Sequence, residues 1–179
     1  MYGLVNKAIK DLVVENYGQV KWDAICLEVG HEEADFISMS PYPDKLTYDL
    51  VGAASKILNT DANSILEAFG EYWILYTADQ GYGDLLDLSG NSFTEFLGNL
   101  DILHLRINNM MPELKAPLFS TRNETEDSVE LVYKSHRVGL VPMLIGLIRG
   151  LGKRFEMVVD IQQLEKDASV DGIVFKISW

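Results

Sequence analysis

The fold class is decided by residues 118–137, which read LFSTRNETEDSVELVYKSHR. The helical period of the preceding sequence does not continue through Leu118–Arg122 and Val129–Arg137, which predicts two β-strands. The polar stretch Asn123–Asp127 between them predicts their connection. This segment therefore marks the point at which the period of the sequence changes from helix to strand.

Helical periodicity dominates the chain before this segment, and strands return after it. Helices gathered in the first two-thirds and strands in the last third indicate an α+β fold. The fold would have an N-terminal helical part, then an antiparallel sheet part with one inserted helix. The length of 179 residues predicts a single domain over 1–179. The predicted helices are Tyr2–Tyr17, Trp22–Val29, Thr47–Leu58, Asn63–Thr77, Ser92–Met111 and the inserted Leu140–Leu151, and the two later strands are Glu156–Gln162 and Gly172–Ser178.

The composition excludes several classes of function. Hydrophobic residues make up 47% of the chain and charged residues 23%, which is typical of a globular protein. The net charge of −12 repels phosphate backbones, so no nucleic-acid binding is expected. The lone Cys26 cannot form an intrachain disulfide, and the longest apolar run, Val138–Ile148, is too short to span a bilayer. These features predict a cytoplasmic protein with no membrane span.

Common catalytic motifs fail on their spacing. Gly152-Lys153 lacks the glycine five residues earlier that a phosphate-binding loop needs, since Leu147 stands there. No Gly-x-Ser-x-Gly and no His-Glu-x-x-His occurs. We therefore expect no enzyme activity from these motif classes.

His104 is the first residue that ordinary core packing does not fully explain. It lies on or beside an apolar stripe of the predicted helix Ser92–Met111. One interpretation is a core histidine whose ring nitrogens find protein partners. The other is a neutral imidazole offered to a metal from an apolar wall, and haem iron is the metal most often held in this way. Its neighbours at helical spacing are Leu97, Leu100, Ile107 and Met111.

The second such feature is the sequence Tyr133-Lys134-Ser135-His136-Arg137. In a continuous strand, Tyr133, Ser135 and Arg137 would share one face, and Lys134 and His136 the other. A phenol, a hydroxyl and a guanidinium in a row suit a pair of carboxylates, although a solvated strand end remains an alternative. An axial imidazole and a carboxylate receptor are the two polar contacts that haem requires.

The spacing of these features resembles a known family. Tyr133-x-Ser135-x-Arg137, 29 residues after His104, is similar to the signature of haem nitric oxide/oxygen-binding (H-NOX) domains, which include the haem domain of soluble guanylate cyclase. The similarity runs from Met1 nearly to the end of the chain and is strongest to stand-alone bacterial, cyanobacterial-type members. Further matching stretches are Met1–Asn6, Leu50–Ser55, Phe69–Trp73, Asn99–His104 and Ala116–Phe119.

The resemblance implies a site for haem b between the helical and sheet parts. His104 would be the proximal ligand of a five-coordinate ferrous iron. Pro117 would press on the porphyrin and bend it, and Trp73 and Met143 would lie in the distal pocket. The haem propionates would be bound by the three donors of the motif, namely Tyr133, Ser135 and Arg137.

The resemblance also implies a function. Family members sense diatomic gases and pass the signal to a histidine kinase, a cyclic-nucleotide enzyme or a chemotaxis domain, and NO weakens the bond between iron and the proximal histidine. Oxygen-binding members carry a distal tyrosine, but Met143 stands at that position here, and its thioether has no proton to donate. We therefore expect a sensor of NO and CO that discriminates against O2. No cysteine follows Cys26, so no zinc site is expected.

Two alternatives stay open at this point. A peroxidase-like haem enzyme would need a distal acid–base group, and the only other histidines are His31 in an acidic segment and His136 on the opposite strand face. A haem-free interaction adaptor would use His104 as a core residue only.

Overall fold

The computed structural model describes residues 1–31 and 35–179. The helices of this part of the chain are α1 (Gly3–Tyr17), α2 (Gln19–Val29), α3 (Asp44–Leu58), α4 (Ala62–Thr77), α5 (Gly83–Asp87), α6 (Phe93–Gly98), α7 (Leu100–Met110) and α8 (Val141–Arg154), with a π-helical turn at Ala78–Tyr82. The strands are β1 (Leu118–Arg122), β2 (Ser128–Lys134), β3 (Asp160–Gln163) and β4 (Ile173–Ser178). Among the helices of the described residues, none is long and apolar enough to cross a membrane.

The four strands form one antiparallel sheet in the order β1-β2-β4-β3. Its register places Phe119 of β1 opposite Tyr133 of β2, and Tyr133 opposite Ile173 of β4. The helix α8 lies between β2 and β3 in the chain, as the inserted helix of the predicted architecture does. The prediction of an α+β fold with a helical part followed by an antiparallel sheet is therefore confirmed.

Helices α4 and α8 bring their backbones into close contact at three glycines. A Cβ atom on Gly146 would overlap the backbone carbonyl of Glu67, and one on Gly70 would overlap the carbonyl of Met143. A Cβ on Gly150 would lie only 2.7 Å from the carbonyl oxygen of Glu71. Glycine at these three positions is what allows the two helices to approach so closely.

Two hydrophobic clusters stabilise the fold. The helical cluster is built from α1 to α4, and the sheet cluster from the sheet together with α6, α7 and α8. Representative buried residues are Ile9, Trp22, Leu50 and Phe69 in the helical cluster, and Phe96, Leu131, Phe175 and Ile177 in the sheet cluster.

Two predicted elements differ from the structure near the features singled out in the sequence. The predicted helix Ser92–Met111 is interrupted, because α6 ends at Gly98 and α7 begins at Leu100. The Ser92 hydroxyl caps α6 by accepting a hydrogen bond from the Glu95 amide at 3.2 Å. Asn99 between the two helices donates a side-chain hydrogen bond to the Ser89 carbonyl at 3.0 Å, which stabilises the break. The other difference is that β2 ends at Lys134 and not at Arg137.

Candidate functional site

A largely apolar cavity of about 260 Å³ lies between the helical part and the sheet part. Its walls come from α1, α4, α6, α7, β1, β2, the loop after β2, and α8. All seven site residues predicted from the sequence line this one cavity: Trp73, His104, Pro117, Tyr133, Ser135, Arg137 and Met143.

His104 is held in one orientation on α7. Its Nδ1 lies 2.7 Å from the Leu100 carbonyl oxygen, and since a carbonyl can only accept, Nδ1 carries the proton. The ring lies 4.9 Å from the ring of Phe119, measured between centroids. Burial lowers the pKa of His104, and the hydrogen bond to Leu100 opposes that shift without cancelling it. The imidazole is therefore neutral at pH 7, and its unprotonated Nε2 is the nitrogen able to bind a metal.

The Arg137 guanidinium makes more hydrogen bonds within the protein than the sequence suggests. Its Nε and Nη2 donate to the Asp44 carboxylate at 2.8 and 3.3 Å. Nη2 also donates to the Leu114 carbonyl at 2.8 Å, and Nη1 donates to the Lys115 carbonyl at 3.0 Å. Four of the five guanidinium N–H groups are thus occupied, and the bidentate face points to Asp44. Among the residues that the structure describes, none binds the second N–H of Nη1, which remains for a further carboxylate.

Asp44, the first residue of α3, is the partner that holds Arg137. Burial alone would raise the pKa of Asp44, but hydrogen bonds from Arg137 and from the Met1 amino group outweigh it and lower the pKa to about 2. The Met1 nitrogen lies 2.5 Å from Asp44 Oδ1 and 2.7 Å from the Tyr42 carbonyl oxygen. The Asp44–Arg137 ion pair therefore joins the helical part directly to the loop after β2.

The strand-face argument for the Tyr-x-Ser-x-Arg motif is correct for only part of the segment. Tyr133 belongs to β2, is buried, and its ring lies 5.5 Å from that of Phe119. Ser135 and Arg137 lie beyond the strand, and the Arg137 amide donates to the Ser135 hydroxyl oxygen at 3.0 Å. The motif converges on the cavity because the chain bends after Lys134, and not because of a two-residue period. Lys134 forms an exposed ion pair with Asp171.

Pro117 lies immediately before β1, at the end of the segment Met111–Pro117, which is held from two directions. On one side, Arg137 binds the carbonyls of Leu114 and Lys115. On the other side, Asn108 Oδ1 of α7 accepts from the Ala116 amide at 3.2 Å. Beyond Pro117, Asp101 Oδ1 of α7 accepts from the Phe119 amide of β1 at 3.1 Å.

Helices α4 and α8 form one wall of the cavity. Trp73 on α4 and Met143 on α8 are part of this wall. The Trp73 ring lies 5.7 Å from the ring of Phe69, which belongs to the helical cluster. Thr77, one turn after Trp73, also lines the cavity, but its hydroxyl donates to the Trp73 carbonyl at 2.8 Å. Within residues 1–31 and 35–179, the Trp73 indole N–H makes no hydrogen bond, so it is the uncommitted donor on this wall.

Three side chains that matter to the geometry were not predicted as site residues: Asp44, Asp101 and Asn108. Asp101 is part of the Asn99–His104 match, three residues before the histidine, so a signal for it was present. Asp44 is 93 residues from Arg137 in the chain, and no local pattern could connect the two.

The residues around the cavity fit a haem. A neutral imidazole with one free nitrogen suits the iron, and apolar walls suit the porphyrin. The phenol, the hydroxyl and the remaining guanidinium N–H gathered at Tyr133–Arg137 suit the propionates. The group would therefore be held by His104 at the iron and by this motif at its acidic edge.

Known proteins share similarity with this chain over most of its length. Soluble guanylate cyclase 89Db of Drosophila melanogaster is 26% identical over 155 residues, covering 87% of this chain and 23% of the relative. Soluble guanylate cyclase gcy-33 of Caenorhabditis elegans is 28% identical over 182 residues, covering 100% of this chain and 19% of the relative. The chain thus spans about a fifth to a quarter of the curated relatives it matches.

Solved structures share the fold. The Fe(II) form of an H-NOX protein from S. oneidensis superposes with a TM-score of 0.89 and 21% identity, over 99% of this chain and 95% of that one. An unliganded Fe(II) H-NOX protein from K. algicida gives a TM-score of 0.85 and 20% identity, over 99% of this chain and 96% of that one. A family model described as haem-NO-binding matches residues 2–163, and this chain therefore belongs to the H-NOX family of haem-binding gas-sensor domains, which are not themselves enzymes.

Proposed function

We propose that this chain is a sensor of NO and CO that uses a five-coordinate ferrous haem b ligated by His104, discriminates against O2, and regulates a separate signalling protein by a change of shape. The observation that carries the proposal is His104 itself. It is a neutral imidazole with Nδ1 fixed by Leu100 and, within the described part of the chain, no partner at Nε2, and it lies on the wall of a cavity that is also lined by Tyr133, Ser135 and Arg137. When bound, the haem supplies the iron that takes the gas.

His104 has the role of the proximal ligand. The hydrogen bond from Nδ1 to the Leu100 carbonyl fixes the tautomer and orients the ring, as hydrogen bonds to metal-bound histidines commonly do. His31 and His136 offer no alternative. The His31 ring stacks on Phe36, 5.2 Å away between centroids, and His136 is exposed beyond the end of β2.

Tyr133, Ser135 and Arg137 have the role of receiving the propionates. Arg137 contributes positive charge that Asp44 partly neutralises, and one free N–H on Nη1. Because its bidentate face already binds Asp44, we assign it a single hydrogen bond to a propionate, with the Tyr133 and Ser135 hydroxyls as the other donors.

Discrimination against O2 follows from the other wall of the cavity. Bound O2 gains more from a hydrogen-bond donor than NO or CO does. The Met143 thioether cannot donate, and the Thr77 hydroxyl is committed to the Trp73 carbonyl. The Trp73 indole N–H is the remaining candidate donor on this wall, and it decides how complete the discrimination is.

The output would be a movement of the helical part, through α7, relative to the sheet part, larger with NO than with CO. With haem bound, His104 would hold α7 to the iron, so a gas that weakens this bond, as we propose for NO, would release the helix, whereas CO would leave the tether in place. Ligands shift a conformational equilibrium only by their differential affinity for its states, and the tether supplies that difference. Guanylate cyclases among the relatives favour a cyclic-nucleotide enzyme as the class of partner, and a histidine kinase is the other class that we propose.

The absorption spectrum of the purified ferrous protein tests the proposal. We expect a haem Soret band that shifts with NO and with CO but does not change in air-equilibrated buffer. A protein that takes up no haem when haem is supplied would instead be an interaction adaptor, and rapid peroxide turnover would indicate a haem enzyme. Either result would overturn the proposed function.

A further inference from the structure

The segment Met111–Pro117 connects the helix that bears His104 to strand β1 and carries Pro117 at its end. We propose that Asn108 is the positioning residue that couples α7 to Pro117, so that the pressure of Pro117 on the bound group follows the position of the histidine helix. This inference rests on the proposed function.

The coupling runs through one hydrogen bond. The Asn108 side-chain oxygen accepts from the Ala116 amide at 3.2 Å, and the contact is partly buried. Ala116 directly precedes Pro117. Asn108 lies four residues after His104 on α7, which places the two side chains on the same side of the helix, one turn apart. A displacement of α7 at His104 therefore reaches the backbone directly before Pro117 through Asn108, whereas Asp101 of α7 binds the backbone two residues after it.

The backbone before Ala116 cannot easily relax by itself. Lys115 adopts a left-handed conformation with φ of 49°, which a residue with a side chain rarely adopts without support from its surroundings. That support includes Arg137, which binds the carbonyls on either side of this conformation, at Leu114 and Lys115. With the segment fixed from the Arg137 side, Asn108 is the contact through which α7 acts on it.

The neighbouring residue supplies a matched control. Asn109 has the same side chain on the same helix, but it is exposed, and within the described residues it makes no side-chain hydrogen bond. A general effect of removing an amide from α7 would appear at both positions. An effect specific to the contact with Ala116 would appear only at Asn108.

The first measurement is amide hydrogen exchange at Ala116 in the protein with haem supplied. We expect Asn108→Leu to speed exchange at this amide about two- to tenfold, since one ordinary hydrogen bond is lost. Asn108→Asp keeps the acceptor oxygen and should restore the wild-type rate, and Asn109→Leu should leave it unchanged. If Asn108→Leu folds poorly, Asn108→Ala serves the same comparison, because alanine is the best helix former.

The second measurement is the out-of-plane vibrational bands of the ferrous haem, read by resonance Raman spectroscopy. We expect Asn108→Leu to shift these bands in the same direction as Pro117→Ala. The double variant should add nothing to Pro117→Ala alone, since both changes act through one contact. Bands that stay at wild-type positions in Asn108→Leu, or that shift equally in Asn109→Leu, would overturn the coupling while leaving the proposed function intact. A wild-type protein that binds no haem would overturn both.

Discussion

Asp44 and Arg137 form a bidentate ion pair across 93 residues of sequence, with 2.8 Å between Arg137 Nε and Asp44 Oδ2. The arginine side chain is only 9% exposed and the aspartate 35%. This pair joins the first turn of α3 to the loop after β2, so it connects the two parts of the molecule at the edge of the cavity.

Replacing this carboxylate should weaken the fold in a pH-dependent way. The pKa of Asp44 is lowered from 3.8 to about 2, so the charged form stabilises the native state above pH 4, and this stabilisation is lost as the pH falls toward 2. Allowing for solvent screening of a partly exposed group, we expect Asp44→Asn to reduce the free energy of unfolding at pH 7 by about 1 kcal/mol. Denaturant titrations at several pH values measure this free energy of unfolding.

Asp49→Asn is the control for the Asp44 prediction. Asp49 lies on the same helix and pairs with Lys45, whose side chain is 82% exposed. We expect this variant to change the free energy of unfolding by well under 1 kcal/mol. Equal losses in the two variants would contradict a special role for the Asp44–Arg137 pair.

Replacing His104, the proposed proximal ligand, should make haem binding depend on added imidazole. His104→Gly leaves a gap on the cavity wall that a free imidazole molecule can fill. We expect the variant to lose its ferrous haem spectrum and to regain it when imidazole is supplied. His136→Gly removes an exposed histidine and should keep the wild-type spectrum. A His104→Gly protein with an unchanged spectrum and no imidazole would show that another residue binds the iron.

Supplying a donor on the α8 wall should create affinity for O2. Met143→Tyr places a phenol where the wild type has a thioether, and the phenol can donate to bound O2. We expect the variant to show a distinct spectrum in air-equilibrated buffer, which the wild type lacks. Met110→Tyr, on the exposed side of α7, is the control. If the wild type already binds O2 stably, Trp73→Phe should abolish that binding by removing the indole N–H.

Replacing Pro117 should distinguish two possible sources of the signal, namely the shape of the haem and the tether at His104. Pro117→Ala should flatten the haem in the unliganded protein and shift regulation of the cognate kinase or cyclase toward the NO-bound level, with a coupling of about 1–3 kcal/mol. Resonance Raman bands report the planarity, and an assay of the partner reports the regulation. A flattened haem with unchanged regulation would leave the His104 tether as the sole carrier of the signal.

The close contact between α4 and α8 predicts that alanine has opposite effects on stability at two glycines. Gly146→Ala introduces a Cβ that overlaps the Glu67 backbone, so we expect a loss of about 1–3 kcal/mol in the free energy of unfolding. Gly52 lies inside α3, and within the described residues nothing beyond its own helix backbone and chain neighbours lies within 4 Å of its would-be Cβ, so Gly52→Ala should stabilise by about 0.5–1 kcal/mol. Thermal or chemical unfolding measures the two changes in the free energy of unfolding, which should have opposite signs. A stable Gly146→Ala protein would show that the helices can move apart freely.

The sequence predicted the helices and strands well because their hydrophobic periods are clear, and it failed where tertiary contacts decide. The break at Asn99 was missed because apolar positions continue through it, while the hydrogen bond to Ser89 that stabilises it is not a local pattern. Ser135 and Arg137 were correctly grouped with Tyr133, but for the wrong physical reason, since β2 ends at Lys134. The long-range partner Asp44 had no sequence signal at all.

The cavity between the two hydrophobic clusters has a consequence for the amount of protein in a cell. A ligand that binds only the folded chain adds about 2.7 kcal/mol of stability when its free concentration is 100 times its dissociation constant. This is a large share of the 5–15 kcal/mol that usually separates folded from unfolded protein. A cell short of haem would therefore hold more of this chain unfolded and lose more of it to proteases, so the number of sensors would follow the supply of their cofactor.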